Sequence, residues 1–243
     1  MITTQKLKLP CYMTDLRSRM RATAFMDIAQ QIGEDDAEAG GFGFSFLRAR
    51  GLAWVLARQR VEFYSLPQFK DELELQTWHR GVNGPFYVRD YKLLGADGKV
   101  AVASSSSWVL MDLASRTMVM PGKVDLPALA DAAPGMQAIE GYASKVMPPR
   151  DLPPVKVGER AVVFSDIDYN RHVNNVRYIG WAVDVLPMEL LEEKPLRGLT
   201  INFNHEVHPG ETVSLYLQEN PSGEYFVEGR VEDRQAFIVR LEV

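Results

Sequence analysis

The chain has almost no thiol chemistry at its disposal: one cysteine, Cys11, in 243 residues. No intramolecular disulfide can form, which fits a reducing compartment. The expected location is the cytoplasm. Histidine is scarce too, at four, so there is little material for a structural zinc site. No apolar run approaches the ~18 residues that a membrane span requires. Residues 1–10 have no signal-peptide or transit-peptide character. Basic residues are outnumbered by acidic ones, 27 against 32, giving a net charge of −5 and a pI near 5.5. Phosphate-rich partners want a basic surface, so nucleic acid is not the expected ligand. What is present is an ordinary globular composition, 46% hydrophobic and 24% charged. The length suits one large domain or two small ones.

The order of patterns repeats. In the first half, Phe25, Ile28, Ala29 and Ile32 recur at helical spacing, and Gly40-Gly41 ends the run. Four strand-like segments follow, at about residues 52–66, around Leu73, Leu75 and Thr77, at 86–94 and at 100–111. The second half opens with a helical stripe of Val176, Ile179, Gly180, Val183 and Leu186 that stops at Pro187. Strands are then expected at Ile201, Phe203 and Val207, at Val213, Leu215 and Leu217, at 225–231, and at 237–241. Between the halves lies a proline- and alanine-rich stretch with a short helical pattern near 126–132. This predicts an α+β chain in three parts: 1–125, a linker at 126–157, and 158–243.

Residues 166–175, Asp-Ile-Asp-Tyr-Asn-Arg-His-Val-Asn-Asn, pack two carboxylates, three carboxamides and an imidazole into ten positions. Asp and Asn are favoured turn and N-cap residues, so part of this stretch starts the helix. One cap needs one such residue, however, so the density calls for more: with Asp166 assigned to the turn and Asn174-Asn175 to the helix start, Asp168, Asn170 and His172 are left to carry chemistry. Asp168 and His172 are four apart with Asn170 between them. In a loop running into a helix near Val173 they can converge beside the free N–H groups of that helix. A carboxylate and an imidazole can activate water there, and N–H groups can hold an oxyanion. The combination suits hydrolysis of an activated acyl compound.

Residues 166–181 resemble the signature of the acyl-acyl carrier protein thioesterases, the fatty acid thioesterases of plant plastids and their bacterial relatives. Gly41-Phe42-Gly43-Phe44-Ser45, residues 52–58 and residues 105–111 are similar to the family's first-half pattern, and the likeness runs over about residues 5–243. The resemblance implies a tandem of two hotdog domains, each a long helix wrapped by an antiparallel β-sheet. It places Asp168, Asn170 and His172 on the family's catalytic positions. The family's next catalytic segment is of the Arg-Arg-Glu-Cys type. Here it reads Asn204-His205-Glu206-Val207, so Glu206 matches and the cysteine is replaced by Val207.

Valine cannot be a nucleophile, and Cys11, expected in an N-terminal strand, has no activating motif near it. The expectation is therefore that Asp168 acts as base for water or as nucleophile. Asn170 and an N–H near the helix start bind the thioester oxygen, while His172 and Glu206 position the water. Strict strand alternation places Glu206 with Asn202 and Asn204, opposite Ile201, Phe203 and Val207, so a bulge is needed to turn it into the site. The resemblance also puts the acyl-chain pocket in the first half. Phe25, Met26, Ala29, Ile32, Trp54 and Leu56 are its candidate lining, though any such stripe also reads as core.

His205, Glu206 and His208 do not have the spacing of a helical His-Glu-x-x-His motif, and they read as structural or surface groups. No metal and no cofactor is expected. Arg17, Arg19, Arg21, Arg48, Arg50, Arg58 and Arg60 form either a docking patch for acidic acyl carrier protein or scattered solvated charge. The expected partner is acyl carrier protein bearing a fatty acyl chain, and a homodimer is an open arrangement. Two alternatives stand beside acyl carrier protein thioester hydrolysis. One is an acyl-coenzyme A thioesterase. The other is a silent acyl-binding hotdog protein, which Val207 keeps open and the intact Asp168, Asn170 and His172 oppose.

Overall fold

In a computed structural model of the chain, residues 2–126 and 135–243 are described. They form two compact units, Met1–Ala143 and Ser144–Val243. Most of the helical pattern expected near 126–132 lies outside the described residues. Among those described, no helix is long and apolar enough to cross a membrane.

The first unit runs β1 (Thr3–Lys8), α1 (Ala22–Ala39), α2 (Phe44–Arg48), β2 (Leu52–Phe63), β3 (Glu72–Asn83), β4 (Phe86–Leu94), β5 (Val100–Asp112) and β6 (Thr117–Val119). Its strands lie in the order β1-β3-β4-β5-β2, all antiparallel, with β6 beside β5. The apolar stripe of α1 buries Phe25, Met26, Ala29 and Ile32, and the helix packs on β1 and β3. Gly33 permits the close approach: a Cβ there would sit 2.9 Å from the Tyr91 hydroxyl oxygen. Arg89, buried on β4, reaches Asp36 of α1 at 2.6 Å. That pairing offsets what would otherwise be a costly buried charge.

The second unit runs β7 (Val155–Ala161), α3 (Asn175–Asp184), α4 (Met188–Glu193), β8 (Gly198–Phe203), β9 (Thr212–Asn220), β10 (Glu224–Val231) and β11 (Arg234–Glu242). Its strand order is β8-β11-β10-β9-β7, again antiparallel. Matched element by element, this is the topology of the first unit. A strand comes first and then the main helix, 18 residues in the first unit and 10 in the second. The next strand takes one edge, and the three after it fill the sheet back to the opening strand. The repeat read from the apolar patterns is thus a repeat of topology.

Several expectations need correction. The first strand after α1 ends at Phe63, short of 66. Cys11 begins a 3₁₀ turn and is exposed, outside any strand. The N-terminal strand β1 ends at Lys8, before Cys11; β6, β7 and the short helices α2 and α4 were not foreseen, being too short or too exposed to carry an apolar pattern. The expected linker, 126–157, is not loose where it is described. Residues 136–141 are tied to the first sheet by Ala138 N–H to Asp90 (2.8 Å) and Arg80 to Gln137 (2.7 Å). Residues 144–149 are tied to the second by Val146 N–H to Asn202 Oδ1 (2.7 Å) and Gln218 to the Pro149 carbonyl (3.1 Å). β7 already begins at Val155. Backbone polar groups that lie against a sheet need partners, and buried Asn202 and Gln218 supply them.

Candidate active site

A tight hairpin carries the candidate residues Asp168, Asn170 and His172. Ile167 pairs with Val173 across an antiparallel bridge, the Asp168 N–H donates to the His172 carbonyl at 3.0 Å, and the Arg171 N–H donates to the Asp168 carbonyl at 2.9 Å. Arg171 takes the left-handed conformation, φ +66°. This is the three-residue hairpin pattern, a turn followed by one left-handed residue. Asp168 and His172 therefore occupy facing positions, where Cβ atoms sit about 4.5–5.5 Å apart. Sequence spacing alone suggested convergence in a helix start; the backbone pairing instead places the two residues across a hairpin. Ile167 and Val173 alternate to the other side, and Val173 is buried.

The hairpin is bonded to the segment that follows β8. Val173 N–H donates to the Val207 carbonyl at 2.9 Å. Val207 is fully buried, while its neighbours Glu206 and His208 both reach His172. Glu206 Oε2 lies 3.5 Å from His172 Nε2. The His172 and His208 rings meet edge to face, 4.8 Å between centroids. β8 ends at Phe203, so strand alternation stops before Glu206. Glu206 is thus not a solvent-facing strand residue. Arg234 fixes the loop, donating to the Glu206 carbonyl at 3.0 Å and to Glu211 at 2.9 Å.

The helix start differs from the expectation. α3 begins at Asn175, and Asn174 is its N-cap, its Oδ1 accepting the Val176 N–H at 2.9 Å. Asn174 thus belongs to the helix start, as expected, and caps it. Val173, Asn174, Val176 and Arg177 all have acceptors for their N–H groups, so these four are not open to a thioester oxygen. Asp166 belongs to the turn and accepts the Val163 N–H at 3.0 Å. Asp168 Oδ1 accepts the Asn170 N–H at 2.8 Å, which aims the carboxylate. Asn170 itself is exposed, and Asp168, His172 and Glu206 are half-buried.

Tyr178 joins this group unforeseen. It sits on the buried face of α3. Burial pushes its phenol pKa upward, and Glu206, Glu211 and Asp168 add to that; the Val207 N–H, donating to its oxygen, works the other way. Its presence among the apolar residues of the helical stripe was the available signal.

The expected pocket residues of the first unit are divided. Phe25, Met26, Ala29 and Ile32 share the buried face of α1. Leu56 is buried on β2. Trp54 instead packs with Phe42, Leu47, Leu52, Tyr87 and Leu110, its indole N–H donating to the Phe42 carbonyl at 2.9 Å. Several of the arginines have local partners. Arg19 is paired with Asp15, Arg60 with Glu62, Arg21 with the Tyr12 carbonyl, Arg50 with the Phe46 ring and Arg58 with the Phe86 ring. Of these contacts, those of Arg19 and Arg60 are with carboxylates, while those of Arg21, Arg50 and Arg58 leave the positive charge uncompensated.

Comparison with known proteins gives a consistent picture. Residues 1–122 match the acyl-ACP thioesterase N-terminal domain family, and residues 155–236 match the corresponding C-terminal domain family. Among curated proteins, the chain is 30% identical over 182 residues to an acyl-[acyl-carrier-protein] hydrolase, chloroplastic, of Cuphea viscosissima. That alignment covers 72% of this chain and 43% of the relative. It is 25% identical over 232 residues to an oleoyl-acyl carrier protein thioesterase, chloroplastic, of Coriandrum sativum, covering 86% of this chain and 60% of the relative. The chain thus spans between two fifths and two thirds of the length of these relatives. Among solved structures, an acyl-ACP thioesterase of Bacteroides thetaiotaomicron has the same fold, with a TM-score of 0.90 at 23% identity. The match covers 99% of this chain and 97% of that one. A 12:0-ACP thioesterase of Umbellularia californica matches with a TM-score of 0.87 at 18% identity, covering 99% and 96%.

Proposed function

The chain belongs to the acyl-ACP thioesterase family, and we propose that it hydrolyses the thioester of a fatty acyl group on acyl carrier protein, releasing the free acid. The observation that carries the reading is the hairpin. It sets Asp168 opposite His172, with Glu206 3.5 Å from the imidazole. A carboxylate aimed by one N–H bond and an imidazole held by a second carboxylate form a general-base assembly.

Asp168 takes a proton from water as its oxygen bonds to the thioester carbon. The carbonyl oxygen becomes the oxyanion of a tetrahedral intermediate, next to the Asn170 carboxamide. Collapse breaks the carbon–sulfur bond, and the thiolate leaves with the proton returned from Asp168. His172, oriented by Glu206, positions the water and steadies the charge on Asp168. With valine at 207 no thiol takes part at that position. Each unit is proposed to be a hotdog domain, its long helix wrapped by the antiparallel sheet. Phe25, Met26, Ala29, Ile32 and Leu56 are the proposed wall for the acyl chain, where each buried methylene contributes about 0.8 kcal/mol.

The test is turnover on matched acyl-acyl carrier protein and acyl-coenzyme A thioesters of graded length. Faster hydrolysis from the protein carrier supports the reading. A preference for coenzyme A thioesters moves the enzyme to the other carrier. Tight acyl binding without turnover on either makes it a binding protein.

A further inference from the structure

His172, Glu206 and His208 bring two imidazoles and one carboxylate together beside the loop that follows β8. Each offers one ligand atom, and the three atoms lie within 4.8 Å of one another. Two histidines and a glutamate form a donor set suited to Zn²⁺, which takes imidazole and carboxylate at about 2.0–2.2 Å and can leave a fourth position open. Ca²⁺ and Mg²⁺ prefer all-oxygen sets and are poorly served here.

Tetrahedral ligation at about 2.0–2.1 Å places ligand atoms about 3.4 Å apart, so from within 4.8 Å of one another the trio must close by about 1.4 Å at most. Glu206 Oε2 and His172 Nε2 already lie 3.5 Å apart. His208 is exposed, and rotation of its side chain can supply the closure. The backbone around it is held: the His208 N–H donates to Glu211 at 2.7 Å, and Arg234 ties Glu211 to the Glu206 carbonyl. Such outer supports are what a metal site needs to keep its ligands aimed.

We propose that His172, Glu206 and His208 form a site for a zinc-type divalent metal ion, and that its occupation stops thioester hydrolysis by withdrawing His172 and Glu206 from the water. The inhibitory half rests on the function proposed above, whereas the binding half does not.

The probe is Zn²⁺ alone, with Mg²⁺ as control, titrated into the full chain after chelator treatment. Calorimetry is expected to show one Zn²⁺ per chain and no comparable heat from Mg²⁺. His208→Ala and His208→Gln are expected to weaken Zn²⁺ by at least the roughly 10–100-fold that loss of an outer support costs, with metal-free turnover unchanged. Zn²⁺ should stop wild-type turnover at concentrations matching its calorimetric affinity and leave His208→Ala active there. Equal Zn²⁺ affinity in wild type and His208→Ala overturns the site. Tight, His208-dependent binding without loss of turnover overturns the inhibition, as does turnover that requires added Zn²⁺. Failure of the metal-free chain to hydrolyse any thioester brings down the proposed function and the inhibitory half with it, while calorimetry still decides the site.

Discussion

Replacing Asp168 by asparagine separates charge from shape at the centre of the hairpin. Asp168 Oδ1 accepts the Asn170 N–H at 2.8 Å, and its own N–H closes the turn onto the His172 carbonyl. Asparagine keeps an acceptor oxygen in the same place and is itself a favoured turn residue, so the hairpin is retained. What is lost is one negative charge and a basic oxygen. A hydrogen bond to a charged group contributes about 1.5–3 kcal/mol, against about 0.5–1.5 for a neutral one. The difference is about 1 kcal/mol, and the partial exposure of Asp168 keeps it at the low end. For a chain of this length that is a Tm change of about 2–4 °C.

The chemical cost is much larger. Loss of a general base removes about 10²–10⁴ in turnover, or about 3–5 kcal/mol of barrier. The assay is thiol release from acyl-acyl carrier protein by purified protein, with folded fraction matched by circular dichroism melts. Asp168→Ala, which also removes the acceptor for the Asn170 N–H, should melt lower still with a similar loss of turnover. Asp168→Asn retaining turnover within about tenfold of wild type, at matched folded fraction, would refute the general-base role.

Two further predictions concern stability. Gly229 on β10 lies opposite Phe237 on β11, and a Cβ there would come within 2.1 Å of the Phe237 ring. Gly229→Ala should therefore cost about 1–3 kcal/mol by overpacking, seen as a Tm drop of several degrees that Phe237→Leu partly restores; an unchanged Tm would show that the ring moves freely. His79 has both ring nitrogens buried without a partner among the described residues. Burial, reinforced by Arg89, lowers its pKa from 6.5 to about 4. The unfolded chain takes up this proton near pH 6.5 and the folded chain only near 4. Stability from this group is thus full above pH 6.5 and falls as the pH drops toward 4, by up to about 3 kcal/mol. His79→Leu should gain on wild type as the solution is acidified, and a Tm difference constant from pH 7 to 4.5 would contradict the assignment.

The long helices, the four strands that follow each one, and the repeat were legible in the sequence because apolar periodicity is a local property. The stripe of Phe25, Ala29 and Ile32 and that of Val176, Ile179 and Val183 can each bury only one face. Strand β7 was missed, and the N-terminal strand β1 was given the wrong extent, because both are mostly exposed and so no buried face marks them in the sequence. Asp168, Asn170 and His172 stood out as candidates from their density in one stretch. Glu206 was legible only through family resemblance, since alternation pointed it at solvent. That inference failed because β8 stops at Phe203, and where a strand stops is decided by its partners. Tertiary structure alone folded residues 167–173 into a hairpin and bonded Val173 to Val207. It buried Val207 and turned Glu206 and His208 toward His172, and it put Tyr178 behind them. Residues more than thirty positions apart meet there through backbone hydrogen bonds between two loops, and no local pattern in either loop records that pairing.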